Sequence, residues 1–293
     1  MAAFCHEPDT AMRTTVIVPA YNAAATIERA LRSALNQDPA PDAVIVANDG
    51  STDATSTIAH DLGATVLDLP RSNGSVARNM AAARAEDSLL LFLDADDEWL
   101  PMKIATHLKA HEAHRPSMVF DPAIRVRPSG ARGGVGGKGP EAWLEWQDLL
   151  DYRNWTSGSS FSVAKGRYIQ VGGFNERLLK MQDVDFWVRC AHGAGRALRL
   201  ESPLTLYHQS SASITGRRLE LESYLPILFA GWPFATARQR QLILKEVYLD
   251  RARTSTLLPA LRSLGQAGWP WTEGLFWRAL LFSVRNSLQG VKP

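Results

Sequence analysis

Residues 89–97 read Leu89-Leu90-Leu91-Phe92-Leu93-Asp94-Ala95-Asp96-Asp97, five apolar positions without a break followed by three carboxylates in four residues. An apolar run this short reads as a strand buried on both faces, and its carboxylates emerge where the strand ends. Further short runs rich in β-branched residues at 15–19, 43–47 and 64–69 read as strands like the one at 88–93. Segments of helical period at 24–36, 53–62, 75–85 and 98–114 follow them in turn. This repeated strand and helix order predicts an α/β fold: a mostly parallel sheet flanked by helices, with ligands gathered at the carboxyl ends of the strands.

The 293 residues, 45% of them hydrophobic, are enough for a full α/β core with a helical appendage. Thirty-two Lys and Arg against thirty Asp and Glu leave a formal charge of +2, which lacks the basic surplus of a nucleic-acid binder. Cys5 and Cys190 cannot build a disulfide framework and have no metal-ligand spacing, so a reducing, cytoplasmic setting is expected. The first fourteen residues carry Glu7, Pro8 and Asp9 and no apolar run of the secretory kind; residues 1–13 read as a flexible tail. The longest late apolar run, 274–282, is interrupted by Arg278 and is too short to span a bilayer.

Asp94 and Asp96, two residues apart at a strand end, can face one pocket. Hard oxygen donors at that spacing suit Mn²⁺ or Mg²⁺, which in turn bridges the oxygens of a diphosphate. Asp97 reads as a cap for the helix expected from Glu98. Other marked segments also lie at strand ends or helix starts: Val18-Pro19-Ala20-Tyr21-Asn22, Ala47-Asn48-Asp49-Gly50-Ser51-Thr52-Asp53, Asn73-Gly74 and Arg78-Asn79. In this order, together with the acidic motif, they resemble the large inverting glycosyltransferase family 2, over about residues 14–210. The resemblance implies a GT-A fold, a nucleoside-diphosphate sugar donor with UDP favoured, and single-displacement chemistry. By the same resemblance Pro19, Ala20 and Tyr21 line the nucleotide pocket, Asp49 accepts a hydrogen bond from the base, Asn73 and Arg78 sit over base and phosphates, and Asp94, Ala95 and Asp96 hold metal and donor. His208 falls where such enzymes carry a histidine at the metal or diphosphate.

The segment Lys180-Met181-Gln182-Asp183-Val184-Asp185-Phe186-Trp187-Val188-Arg189 reads as the start of a second functional helix. Helical spacing sets Asp183 with Phe186, Trp187 and Cys190 towards the core-facing wall, and lets Asp185 and Arg189, four apart, pair. A carboxylate at Asp183 can take a proton from an acceptor hydroxyl. This segment resembles the family's acidic pair before the catalytic base, with Gln182 in place of the first acid. Gly172-Gly173-Phe174-Asn175-Glu176 matches a neighbouring family segment whose glycines serve a turn, and Ser157, within Thr156 to Ser160, stands where the family lines its donor-sugar and acceptor pocket.

The Gly-rich stretch from Pro128 to Pro140 reads as a mobile loop, followed by a helix near 141–151. Domain limits are expected at 14–214 for the catalytic domain and 215–293 for a helical extension, with helices at 219–229 and 236–258. The Trp277, Leu280, Leu281 and Val284 stripe suits packing on the domain or a homodimer interface. Arg278, Arg285 and Lys292 beside it suit instead a peripheral contact with the inner face of an anionic membrane, where a saccharide or lipid-linked acceptor would lie. A nucleotidyltransferase is the rival enzyme class, but after its first strand it would carry a Gly-rich loop with a basic residue, where this chain has Pro19-Ala20-Tyr21-Asn22. A non-catalytic nucleotide-sugar-binding module is the other alternative. The resemblance leans towards bacterial polysaccharide or glycoconjugate synthesis.

Overall fold

The computed structural model of the chain describes residues 12–86, 88–151, 154, 156–209 and 232–236. Its contacts divide the chain into two compact units, Met1–Leu149 with Arg153–Arg217, and Leu150–Tyr152 with Arg218–Pro293. The tail up to residue 11, the helix expected at 219–229, nearly all of that at 236–258 and the Trp277 to Val284 stripe lie outside the described residues. Met12 already packs on the core and Arg13 pairs with Asp42 and Glu86, ahead of the expected boundary at residue 14.

Strands β1 (Thr14–Ala20), β2 (Ala43–Asp49), β3 (Thr65–Leu69) and β4 (Leu89–Phe92) alternate with helices α1 (Ile27–Leu35), α2 (Thr55–Asp61) and α3 (Gly74–Arg84). The four strands are all parallel, in the spatial order β3-β2-β1-β4. Beyond β4 the sheet continues with β10 (Phe161–Ala164), β6 (Met118–Phe120), β11 (Ala197–Arg199) and β9 (Ala142–Leu144), where β10 and β9 run antiparallel to their neighbours. A smaller sheet takes β5 (Glu98–Trp99), β12 (Thr205–His208), β7 (Ala123–Val126) and β8 (Arg132–Gly136) in that order. Helices α4 (Lys103–His114), α5 (Lys165–Gln170) and α6 (Gln182–Ala191) complete the first unit.

Burial on both faces explains the unbroken apolar runs. Val16, Val18, Leu89, Leu91 and Leu93 share one core with Ile27, Ala30, Leu31 and Ala34, which recur along α1 at helical spacing. On the opposite face Phe92 stacks on Phe161 with ring centroids 4.8 Å apart, and Phe174 stacks on Phe186 at 4.5 Å. Arg167, on α5, donates to the Cys190 and His192 carbonyls at 2.7 and 2.9 Å, which satisfies the carboxyl end of α6 and ties it to α5.

Three expected elements differ. The helix expected over 98–114 begins at Lys103, because Glu98 and Trp99 pair with Leu206 and Thr205 and Met102, at φ 71°, then stands in the left-handed region. Asp97 is accordingly no helix cap. The stretch Pro128 to Pro140 is not a loop throughout: Gly130, at φ 80°, turns the chain into β8, and Gly133, Gly134 and Gly136 lie on that edge strand of the small sheet. Residues 141–151 hold β9, drawn into the large sheet by β11, and one short 3₁₀ turn at Asp148–Leu150 instead of an α-helix.

Under the acidic strand end lies a buried polar cluster. Lys103 and Asp121, both wholly buried, form an ion pair; His107 lies 3.1 Å from Asp121 and 2.7 Å from the Ser162 hydroxyl, which His111 meets at 2.9 Å. Burial lowers the pKa of His107 to about 4 and of His111 to about 3, with Lys103 adding to the first and His107 to the second. The folded state therefore keeps both rings neutral, while the unfolded chain binds protons near pH 6.5. Their contribution is complete above that value and is lost as the pH falls towards 4 and 3. Thermal melts should show a midpoint that drops by roughly 5 °C or more between pH 7 and 4.5, and a shallower drop in His111→Gln; equal slopes would contradict this origin.

Candidate active site

The marked residues gather at the carboxyl ends of β1, β2 and β4, where a doubly wound sheet collects ligands. Pro19 and Ala20 end β1, and Asn22, at φ 46°, ties this loop to the next by accepting from the Thr52 amide at 2.8 Å and donating to the Ser51 hydroxyl at 2.9 Å. Tyr21 is left 45% exposed. Asp49, at the end of β2, is buried and fully engaged: Ser72 donates to Oδ1 through amide and hydroxyl, each at 2.7 Å, and Arg71 pairs with Oδ2. The same Arg71 guanidinium lies 3.7 Å from the centre of the Tyr21 ring. One cation thus bridges the aromatic face and the carboxylate expected to meet a base. Gly50, at φ 70°, makes this possible, since a Cβ there would stand 2.8 Å from the Arg71 amide nitrogen.

Asn73 caps α3: its Oδ1 accepts from Ser75 and Val76 amides at 2.9 and 3.1 Å, and its Nδ2 donates to the Glu176 carbonyl at 3.1 Å. The Ser75 and Val76 amides at the start of α3 are therefore already used. Asn79 works likewise, donating to Glu176 at 2.8 Å and accepting from the Phe174 amide at 2.9 Å, so α3 grips the turn in which Gly172 and Gly173 hold φ of 80° and 64°. Arg78, almost fully buried, donates to the Gly74 carbonyl, lies 5.4 Å from the Phe174 ring centre and forms an ion pair with Asp94. Its guanidinium thus ties α3 to the acidic motif.

Asp94 and Asp96 are half-buried, with the small, buried Ala95 between them. Burial, followed by the charge of Asp94, raises the Asp96 pKa to about 6, and Arg29 donates to the Asp96 carbonyl at 2.6 Å. Asp97 faces inward, with no exposed surface. Its carboxylate accepts from Ser159 at 2.5 Å, Ser157 at 3.2 Å and the His208 amide at 3.0 Å, while burial and the two nearby carboxylates push its pKa well up. Ser157, expected at the donor sugar, is therefore spent on Asp97. Gly158 leaves room for Asp94, whose Oδ2 would stand 3.1 Å from a Cβ at that position.

Asp183 is the second residue of α6, two after Met181 at φ 58°, and its carboxylate accepts from the Val184 amide at 2.9 Å. Burial raises its pKa; Arg78 pulls it down and Asp94 pushes it up, so the two carboxylates and the cation share one electrostatic site. The expected facing of the helix needs correction: Asp185, and not Asp183, is the wholly buried acid, held by Arg189 at 2.6 and 3.0 Å, while Asp183 is half-buried towards the cleft. His208 Nε2 lies 3.3 Å from Glu98, and among the described residues no three His, Cys, Asp or Glu side chains converge as a metal cage. Asp94 and Asp96 stand two residues apart at the end of β4, both half-buried. Arg71 and Ser159 were not singled out in the sequence; a lone arginine after a strand and a serine within a Ser-Gly-Ser-Ser run give no periodic signal.

The sequence matches the family described as Glycosyl transferase family 2 over residues 15–176. Among curated proteins it is 30% identical over 194 residues to an uncharacterised protein of Mycobacterium tuberculosis, covering 60% of each chain. It is 27% identical over 239 residues to an N-acetylglucosaminyl-diphospho-decaprenol L-rhamnosyltransferase of the same organism, covering 69% of this chain and 77% of the relative. The chain thus spans about three fifths of the first relative. The fold is similar to that of Staphylococcus aureus TarS residues 1–349, solved in complex with UDP-GlcNAc, with a TM-score of 0.68 at 18% identity over 94% of this chain and 89% of that one. A GT-A fold is therefore established.

The two acids of α6 should separate in urea unfolding without ligand. Asp185→Ala leaves Arg189 unpaired beside the core and should cost roughly 3 kcal/mol, whereas Asp183→Ala removes a desolvated carboxylate and should cost under about 1 kcal/mol or stabilise the fold. A reversed order would contradict the assignment of structural and cleft-facing acid.

Proposed function

From the premise that the chain belongs to glycosyltransferase family 2, we propose that it moves a sugar from a nucleoside-diphosphate sugar to an acceptor hydroxyl with inversion at the anomeric carbon. The observation that carries this reading is the meeting of Asp94, from the end of β4, and Asp183, from the start of α6, in one electrostatic site across Arg78. A donor carboxylate and a basic carboxylate on independent elements are what a single displacement between two substrates needs.

Asp94 and Asp96 suit a hard divalent ion, Mn²⁺ or Mg²⁺, whose remaining ligands would be diphosphate oxygens and water, since two carboxylates make an open site. Such an ion, when bound, offsets charge on the departing diphosphate. Tyr21 offers a face and Arg71 a set of donors to the base, with UDP favoured. Asp183 takes the proton from the acceptor hydroxyl as that oxygen bonds the anomeric carbon. The bond from that carbon to the diphosphate oxygen breaks, and the nucleoside diphosphate leaves with the electron pair. Burial, which raises the Asp183 pKa, makes it a stronger base than an exposed carboxylate.

The acceptor is a saccharide carried on a polyprenyl diphosphate, a reading supported by the name of the decaprenol-linked rhamnosyltransferase among the relatives. In this reading the enzyme meets that acceptor by peripheral contact at the inner face of the membrane, in bacterial polysaccharide or glycoconjugate synthesis; no described helix is long and apolar enough to cross a membrane.

Thermal melts with UDP, dTDP, GDP and UDP-sugars, each with Mn²⁺, Mg²⁺ or EDTA, test the donor site. UDP with Mn²⁺ at about 100 times its Kd should raise the midpoint by roughly 5 °C or more. EDTA or Asp96→Ala should remove the effect. Stabilisation by no nucleotide in any metal would refute the reading.

A further inference from the structure

Ser159 is the residue on which the acidic turn is hung. Its carbonyl oxygen accepts from Trp99 Nε1 at 2.8 Å and is approached by Lys103 Nζ and the Thr205 hydroxyl at 3.4 Å each, three buried groups from β5, α4 and β12. With the backbone held from three sides, the hydroxyl has a fixed place. It accepts the Asp94 amide at 2.9 Å and donates to Asp97 Oδ2 at 2.5 Å. The Asp97 amide in turn donates to the Asp94 carbonyl at 3.0 Å, which closes the turn. Ser157 reinforces the arrangement by accepting the Ser159 amide at 2.9 Å while donating to Asp97. One hydroxyl therefore joins the backbone at the first acid to the side chain of the last, with Asp96 between them.

We propose that Ser159 is a positioning residue for the donor site: it sets the geometry of the Asp94 to Asp97 turn, and so the separation and aim of the Asp94 and Asp96 carboxylates, without touching the donor. This rests on the donor-site reading above. The nature of the contact explains why a hydroxyl is needed here. It must accept from an amide and donate to a carboxylate at once, which an ammonium, a methyl or a carboxylate cannot do. Residues that orient metal-binding carboxylates act on affinity for the ion and its ligand more than on the fold.

The test is calorimetric titration of UDP into wild type, Ser159→Ala, Ser159→Cys and Ser162→Ala, each with Mn²⁺ and with EDTA, beside thermal melts of the same proteins. Ser162 is the control for a buried hydroxyl, being as enclosed as Ser159 but bonded to His107 and His111. Ser159→Ala should weaken Mn²⁺-dependent UDP binding roughly 10-fold. Ser159→Cys, with its weak donor and acceptor, should fall between, and Ser162→Ala should bind within about twofold of wild type despite a lower melting midpoint. Ser159→Ala or Ser159→Cys that melts lower yet binds UDP with Mn²⁺ as wild type does would overturn the inference alone. Wild type that shows no Mn²⁺-dependent UDP binding would overturn the donor-site reading and the inference with it.

Discussion

Carboxylates crowded at the end of an apolar strand repel one another and lose hydration, so each needs a donor of its own before a fold can hold them together. Asp94, Asp96 and Asp97 follow one another at the end of β4, and Asp183 faces the same space from α6. The surrounding structure answers this constraint acid by acid. Arg78 pairs with Asp94; Ser157, Ser159 and the His208 amide meet Asp97. Asp97, its pKa also raised, is wholly enclosed by those donors, whereas Asp96 and Asp183, half-buried and with raised pKa values, face the cleft and are the groups to which the proposed chemistry is assigned.

The same demand explains the architecture around them. Arg78 can reach Asp94 because α3 packs behind the parallel strands, and the Asn73 cap and the grip of Asn79 on the Gly172 to Glu176 turn hold that helix in register. The buried Lys103, Asp121 and His107 cluster lies beneath the Ser157 to Ser160 segment, where Asp121 also accepts from Thr205 at 2.8 Å and its amide donates to the Ser160 carbonyl at 2.9 Å. A buried ion pair is an uncertain source of stability. Here its geometric consequence is plain, since it ties α4, β6 and β12 to the loop that carries Ser159.

The parallel half of the fold was legible because its signals are local. The runs at 15–19 and 43–47 and the α1 stripe of Ile27, Ala30, Leu31 and Ala34 lie within a few residues of the observed elements. The second half depends on partners far along the chain. Two residues, Glu98 and Trp99, become a strand only because β12 arrives beside them, and the glycines of β8 are tolerable only at an edge. Around the proposed site, the placement of Asp94 and Asp96 at a strand end and of Asp183 at a helix start was readable from the sequence. Which acid of α6 faces the core was not, because helical spacing fixes the angle between Asp183 and Asp185 but not which side the sheet will cover. Ser159 and Arg71 act through contacts across 60 and 22 positions of chain, which no local pattern encodes.

In this account the acidic turn binds the donor and the acid of α6 activates the acceptor, so binding and transfer are separable. The most direct test is single-turnover transfer of a labelled sugar from its UDP donor to a polyprenyl-diphosphate-linked acceptor by wild type and Asp183→Asn, with UDP affinity measured on both. The account predicts Mn²⁺-dependent UDP binding within about twofold of wild type and a transfer rate lower by roughly 10³-fold. An Asp183→Asn protein that transfers sugar at the wild-type rate would contradict it.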